Sequence, residues 1–212
     1  MKKLSLLIGF GLISIAALAS SETIQLNFDE VKAGELPAGW KVDATGPGKK
    51  LAEWKVTSDA SAPTKPNVLT LTKPSDSAFN LCWTNELHFK DGSIEVKIKA
   101  NTGEEDQGGG LIWRARDGNN YYIARYNPLE RNFRLYYVKE GRRIQLDDAK
   151  ANVKTGEWFI MTISQKGDSI TAWLNGQKLL HAKDSTFSEE GGVGFWTKAD
   201  AATSFDNLAV NS

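Results

Sequence analysis

Nearly every readable segment of this chain repeats with a period of two, and that leaves few folds open to it. In "SIEVKIKA" Ile94, Val96 and Ile98 fall on one side, and Glu95, Lys97 and Lys99 on the other. This is the signature of an antiparallel strand with one face in water. "SITAWLNGQKLLHA" predicts two strands joined at Asn175-Gly176, a pair suited to a type I′ turn because both residues there need positive φ. "DGNN" (Asp117 to Asn120), "KEGR" (Lys139 to Arg142) and "KGD" (Lys166 to Asp168) mark further turns. Turn signals every ~8–12 residues predict about a dozen strands, hence an all-β sandwich or jelly roll. No long stretch keeps a helical period; at most "DSTFSEEG" (Asp184 to Gly191) makes a helical turn. The stretch Lys32 to Pro66 is rich in proline and glycine and is expected to be a long surface connection.

The first residues belong to no fold. Lys2 and Lys3 precede an apolar run from Leu4 to Leu18, and Ala17-Leu18-Ala19 has the small-x-small pattern of a cleavage site. Residues 1–19 are therefore expected to be a signal peptide and residues 20–212 one domain, secreted or periplasmic. Basic and acidic residues number 26 each, and losing Lys2 and Lys3 leaves a slight acidic excess. No field of one sign points to nucleic acid or to a membrane surface. Cys82, the single cysteine, has no partner for an intramolecular disulfide, and between Leu81 and Trp83 it reads as a buried small hydrophobe. His88 and His181 lie far apart, with no zinc-type spacing.

The stretch from Gly108 to Val138 departs from the plain pattern. It holds Trp113, all five tyrosines of the chain and five arginines. Leu111, Trp113 and Ala115 share one side of a predicted strand; Ile112, Arg114 and Arg116 share the other. Tyr121, Ile123, Arg125 and Asn127 oppose Tyr122, Ala124 and Tyr126; Phe133, Leu135 and Tyr137 oppose Arg134, Tyr136 and Val138. Such strands bury one face and offer rings and fixed donors on the other. Sugars bind surfaces of this kind, stacking their C–H faces on rings and spending hydroxyls on planar polar groups. The alternative is that the rings are core and the arginines snorkel to solvent. Trp83, Trp113 and Trp196 alternate with apolar residues, which suits core positions as well as stacking platforms.

"DQGGGLIWRARDGNNYYIARYNPLERNFRLY" and "GGVGFWTKADAATSFDNLAV" resemble bacterial secreted proteins of the concanavalin A-like lectin/glucanase superfamily. More closely they resemble the 3-keto-disaccharide hydrolase family, formerly a domain of unknown function and also labelled family 16 glycoside hydrolase-like. The resemblance runs from about Ile24 to Val210. It implies a two-sheet antiparallel jelly-roll sandwich whose concave sheet carries any sugar site. The family's recurrent elements fall on Asp106-Gln107-Gly108-Gly109, Arg114, Asn120-Tyr121-Tyr122 with Arg125, Asn127 to Glu130, and Trp196 to Asp200.

Retaining family 16 enzymes use Glu-x-Asp-x-x-Glu to set two carboxylates on one face. The nearest match, Glu104 to Gly109, ends in glycine. Action on a 3-keto-glycoside needs instead one base for the acidified C2 proton and a cation or metal at the enolate oxygen. Asp106 and Glu130 are the candidate bases; Arg114, Arg125 and Lys198 are the candidate stabilisers. Gln107, Arg116, Tyr122, Tyr126, Asn127, Trp196 and Asp200 are candidate sugar contacts. An ion-pair network of purely structural use is the competing reading. Asp29 and Asp206, near the terminal strands, are candidate ligands for a structural Ca²⁺ or another divalent cation. The expected partner is a carbohydrate or modified glycoside, with no nucleic acid and no membrane after leader removal, bound by a monomer. Elimination or hydrolysis, lectin-like binding without turnover, and a structural or adhesive sandwich remain open as functions.

Overall fold

Phe195 and Phe205 stack at 4.3 Å, ring parallel to ring, and the contact joins two antiparallel sheets into a sandwich. The computed structural model describes residues 23–75 and 79–212; the expected signal peptide lies outside them. The strands are β1 (Thr23–Leu26), β2 (Trp40–Ala44), β3 (Glu53–Ser58), β4 (Asn67–Lys73), β5 (Phe79–Phe89), β6 (Gly92–Thr102), β7 (Gly109–Asp117) and β8 (Asn120–Asn127). They continue with β9 (Asn132–Lys139), β10 (Arg142–Lys150), β11 (Trp158–Lys166), β12 (Ser169–Leu174), β13 (Gln177–Lys183), β14 (Gly191–Lys198) and β15 (Ala202–Asn211). The first sheet runs β13-β12-β11-β6-β15-β4-β3, with β1 also on β15; the second runs β10-β9-β8-β7-β14-β5-β2. The fold is the expected all-β jelly-roll sandwich.

The predicted turns form. Asn175 and Gly176 both take positive φ, as do Glu140 and Gly141 in the β9–β10 turn. Gly167 alone is positive in the β11–β12 turn, the pattern of a type II′ turn. Two expectations are corrected. Lys32 to Pro66 is more than a connection, because it supplies β2 to one sheet edge and β3 to the other. Asp184 to Glu190 forms no helical turn, and Gly191 already opens β14. Among the described residues no helix is long and apolar enough to cross a membrane.

The two sheets differ on their outer faces. In β6, Ile94, Val96 and Ile98 are buried and the residues between them are half-buried, as alternation predicts. In β7 and β8 nearly every side chain is buried. Leu111, Trp113, Tyr122, Ala124, Tyr126, Phe133 and Leu135 fill the space between the sheets. Leu81, Trp83, Ile112, Tyr121, Ile123, Tyr136, Val138 and Trp196 form a second apolar cluster on the outer face. Gly194 makes room there, since a Cβ would lie 2.3 Å from that of Trp83. Cations cover these rings: Lys41 Nζ stands 3.9 Å over Trp83, and the Arg143 guanidinium stands over Tyr136, Phe79 and Trp196.

Candidate functional site

Register brings the polar groups together. Trp196 pairs with Gly110, Gly110 with Arg125, and Arg125 with Arg134. These four positions form one row across β14, β7, β8 and β9, pointing outward at the end where β7 begins and β14 and β8 finish. Gly110 adds no side chain to the row, and none would fit: its Cβ would lie 1.8 Å from the Ala124 carbonyl oxygen. The polar residues just beyond the row close the site.

Asp106, buried in the loop before β7, receives Lys198 Nζ at 2.8 Å on one carboxylate oxygen. Its other oxygen accepts Asn127 Nδ2 at 2.8 Å and the Gln107 N–H at 3.0 Å. Lys198 keeps 32% of its side chain exposed, so the pair has one foot in solvent. Asp200 fastens the loop by accepting the N–H groups of Glu104, Glu105 and Asp106. Burial raises the Asp200 pKa, but these backbone donors outweigh it and hold the carboxyl below its usual value. Asn127 also shapes the β8–β9 turn, where its Oδ1 accepts the N–H groups of Leu129 and Glu130.

Through that turn the first group meets a second. Arg125, buried, donates to Asn132 Oδ1 at 2.5 Å, to Glu130 Oε2 at 2.9 Å and to the Tyr136 hydroxyl at 3.4 Å. Asn132 Nδ2 and Arg134 also donate to Glu130 Oε2. Burial works to raise the Glu130 pKa, yet Asn132, Arg125 and Arg134 together bring it below the usual carboxylate value. The three donors converge on one oxygen, Oε2, and make Glu130 a weaker base than an ordinary carboxylate. Trp196 donates its indole N–H to the Tyr121 hydroxyl at 3.2 Å and is almost fully buried.

Several sequence candidates sit elsewhere. Arg114 takes φ of 45° and starts a bulge after Trp113, so Ala115 turns to the outer face and the alternation read from the sequence breaks. The buried Arg114 guanidinium bonds the carbonyls of Lys90, Phe187 and Gly167 and the carboxylate of Asp91, tying three connections together. Arg116 is exposed and lies over Phe187, in that same region. Tyr122 and Tyr126 pack between the sheets, because a period of two puts them opposite Arg125; their hydroxyls bond Asp184 and Val153. Gln107 holds Thr155 and the Gly103 carbonyl. Trp113 is core, with its N–H on Gln165.

Asp29 and Asp206 do come near each other. Burial raises the Asp206 pKa against the N–H groups of Thr64 and Asn207, and the Asp29 carboxylate adds to the rise. Both carboxylates already accept backbone N–H groups, from Asn67 and Thr64. The oxygens are of the kind calcium takes, although no group of three or more His, Cys, Asp or Glu gathers among the described residues.

Sequence reasoning missed Tyr121, Asn132, Tyr136 and Arg143. Arg143 was accessible to it: the predicted β9–β10 turn places Arg143 opposite Val138, an outward residue.

Residues 39–211 match the 3-keto-alpha-glucoside-1,2-lyase-like domain. The chain belongs to this family. The lyase-like domain shares its fold with carbohydrate-active proteins. The carbohydrate-binding module CBM66 from Bacillus subtilis is 20% identical with a TM-score of 0.63, over 80% of this chain and 93% of that one. A family GH16 protein from the Bacteroides ovatus mixed linkage glucan locus, in complex with a product, is 11% identical with a TM-score of 0.62, over 89% and 99%. Domain 4 of AbnA, a GH43 extracellular arabinanase from Geobacillus stearothermophilus, in complex with arabinotriose, is 10% identical with a TM-score of 0.61, over 92% and 94%. No curated protein matches the chain.

Proposed function

We propose that this chain binds a modified glycoside on the outer face of its second sheet and cleaves 3-keto-glucosides there by elimination. The observation that carries the reading is the Asp106–Lys198 pair, buried at the carboxylate and open at the ammonium, beside the ring-floored row. A ketone at C3 acidifies the C2–H bond. Asp106 takes that proton, and the electron pair forms the enolate. Protonating Asp106 frees the Lys198 charge, which turns to the enolate oxygen. The carbonyl then re-forms, a C1–C2 double bond forms, and the C1–O bond breaks with its electrons on oxygen. Asp106 returns the proton to that leaving oxygen, so the base is regenerated. In this reading Glu130 holds Arg125, which in turn holds Tyr136 against the site.

A lectin-like function without turnover is the second reading. It is favoured by how fully the carboxylates are engaged, and by the sugar-binding neighbours that share the fold. The signal-peptide pattern and the extracellular arabinanase neighbour support action outside the cytoplasm. Asp29 and Asp206, with carbonyl and amide oxygens around them, would hold a structural calcium ion far from this chemistry.

The deciding experiment mixes the mature protein with 3-keto-glucosides and with plain glucosides, and follows aglycone release. Release from the 3-keto compounds alone is expected. Asp106→Asn should lower its rate by about 10²–10⁴-fold in protein that circular dichroism shows to be folded. Saturable binding with no release would leave the lectin reading in place.

A further inference from the structure

Among the described residues, Arg143 is a cation of this cluster that has no anion. Arg125 has Glu130 at 2.9 Å, Arg134 has Asp148 at 2.6 Å, and Lys198 has Asp106 at 2.8 Å. The Arg143 side chain makes no ion pair or hydrogen bond among the described residues, and its Nη1 is buried with no partner. Its guanidinium carbon stands over rings, 4.5 Å from the Tyr136 centroid, 4.9 Å from Phe79 and 5.8 Å from Trp196. Attraction of the charge to a ring uses no hydrogen-bond acceptor, so the N–H fork is left for one. Buried donors without acceptors are rare, because the group has lost its water and received nothing in return. Burial lowers the Arg143 pKa and the neighbouring Arg125 charge lowers it further, while Tyr136 and Asp106 oppose them.

We propose that Arg143 is the receptor for a carboxylate carried by the bound sugar, so that the site prefers a hexuronate unit to a neutral hexose. A carboxylate matches the planar fork with two parallel hydrogen bonds, and a single unpaired guanidinium calls for a monoanion. The sugar ring would lie against Tyr136 and Trp196 once the guanidinium turns its edge to the ligand. The proposal rests on the sugar-binding reading above, but not on catalysis.

The test is calorimetry on the mature protein with paired oligosaccharides. One member of each pair contains galacturonate or glucuronate; the other is the same compound with its carboxyl reduced to the primary alcohol. The acidic member should bind about tenfold or more tightly. Raising ionic strength from about 0.05 to about 0.5 M should weaken only the acidic member. Arg143→Met should erase the preference, Arg143→Lys should retain part of it, and the exposed Arg142→Gln, which removes the same charge next door, should leave it intact. If Arg143→Met does not fold, Arg143→Lys and the salt series still decide. Equal binding of both members, or a preference that survives Arg143→Met, overturns the carboxylate receptor and leaves sugar binding standing. No binding by either member of any pair overturns both.

Discussion

Asp200 and Asp206 are six residues apart and respond to the fold in opposite ways. Asp200 accepts three backbone N–H groups, and its pKa falls below the ordinary value near 3.8. A carboxyl lowered on folding contributes stability above its unfolded pKa and loses that contribution as pH falls through the lower, folded value. Between about pH 5 and pH 2, Asp200→Asn should therefore lose less stability than the parent, and thermal melts of the two proteins should converge in acid. Asp206 is raised by burial and by Asp29, so its contribution is full below its unfolded pKa and is lost as pH rises through the folded one. A divalent cation between the two carboxylates would remove that loss. Calcium should then raise the melting temperature of the parent at neutral pH and leave Asp206→Asn unmoved; an identical response in both would rule out these ligands. Of the residues singled out in the sequence, Asp106, Asn127 and Lys198 converge, because strand ends set them side by side. Their pairing was not visible in one dimension, since Lys198 and Asp106 stand 92 positions apart in the chain.

Among the elements, the bulge in β7 does most to separate structure from function. Arg114 reads in the sequence as one more outward arginine, but positive φ swings it to the end of the sandwich, where three connections lend it their carbonyls. Arg114→Ala leaves those buried acceptors unpaired and should cost on the order of 3–5 kcal/mol, measured by urea unfolding. Sugar binding by the folded fraction should persist. Asn127→Ala removes both the turn contacts to Leu129 and Glu130 and the bond to Asp106. It should cost about 1–2 kcal/mol and also weaken sugar binding, a combination that Arg114→Ala does not produce. A bulge escapes period-two reading because one added residue reverses the side on which every later side chain falls. The β8 and β9 assignments, which cross no bulge, match the sequence at each position from Tyr121 to Tyr126 and from Phe133 to Val138.

For the molecule as a whole, the rings of both sheets meet in one interior. Phe28, Trp40, Phe195, Phe205 and Trp54 form a continuous chain of contacts from one sheet to the other. Phe205→Ala should cost about 3–5 kcal/mol, and unfolding followed by tryptophan fluorescence and by far-ultraviolet circular dichroism should give one shared midpoint, since neither sheet keeps a buried face alone. Separate midpoints would mean that the sheets melt independently. The alternating pattern and turn residues were enough by themselves to determine an all-β sandwich, its hairpins and the inward side of most strands, because these follow from steric rules acting over a few neighbours. The partner of Lys198, the departure of Arg114 from the sheet face and the isolation of Arg143 over its rings were decided only by tertiary structure. Each depends on which strands lie adjacent and in what register, and contacts between residues distant in the chain impose that choice.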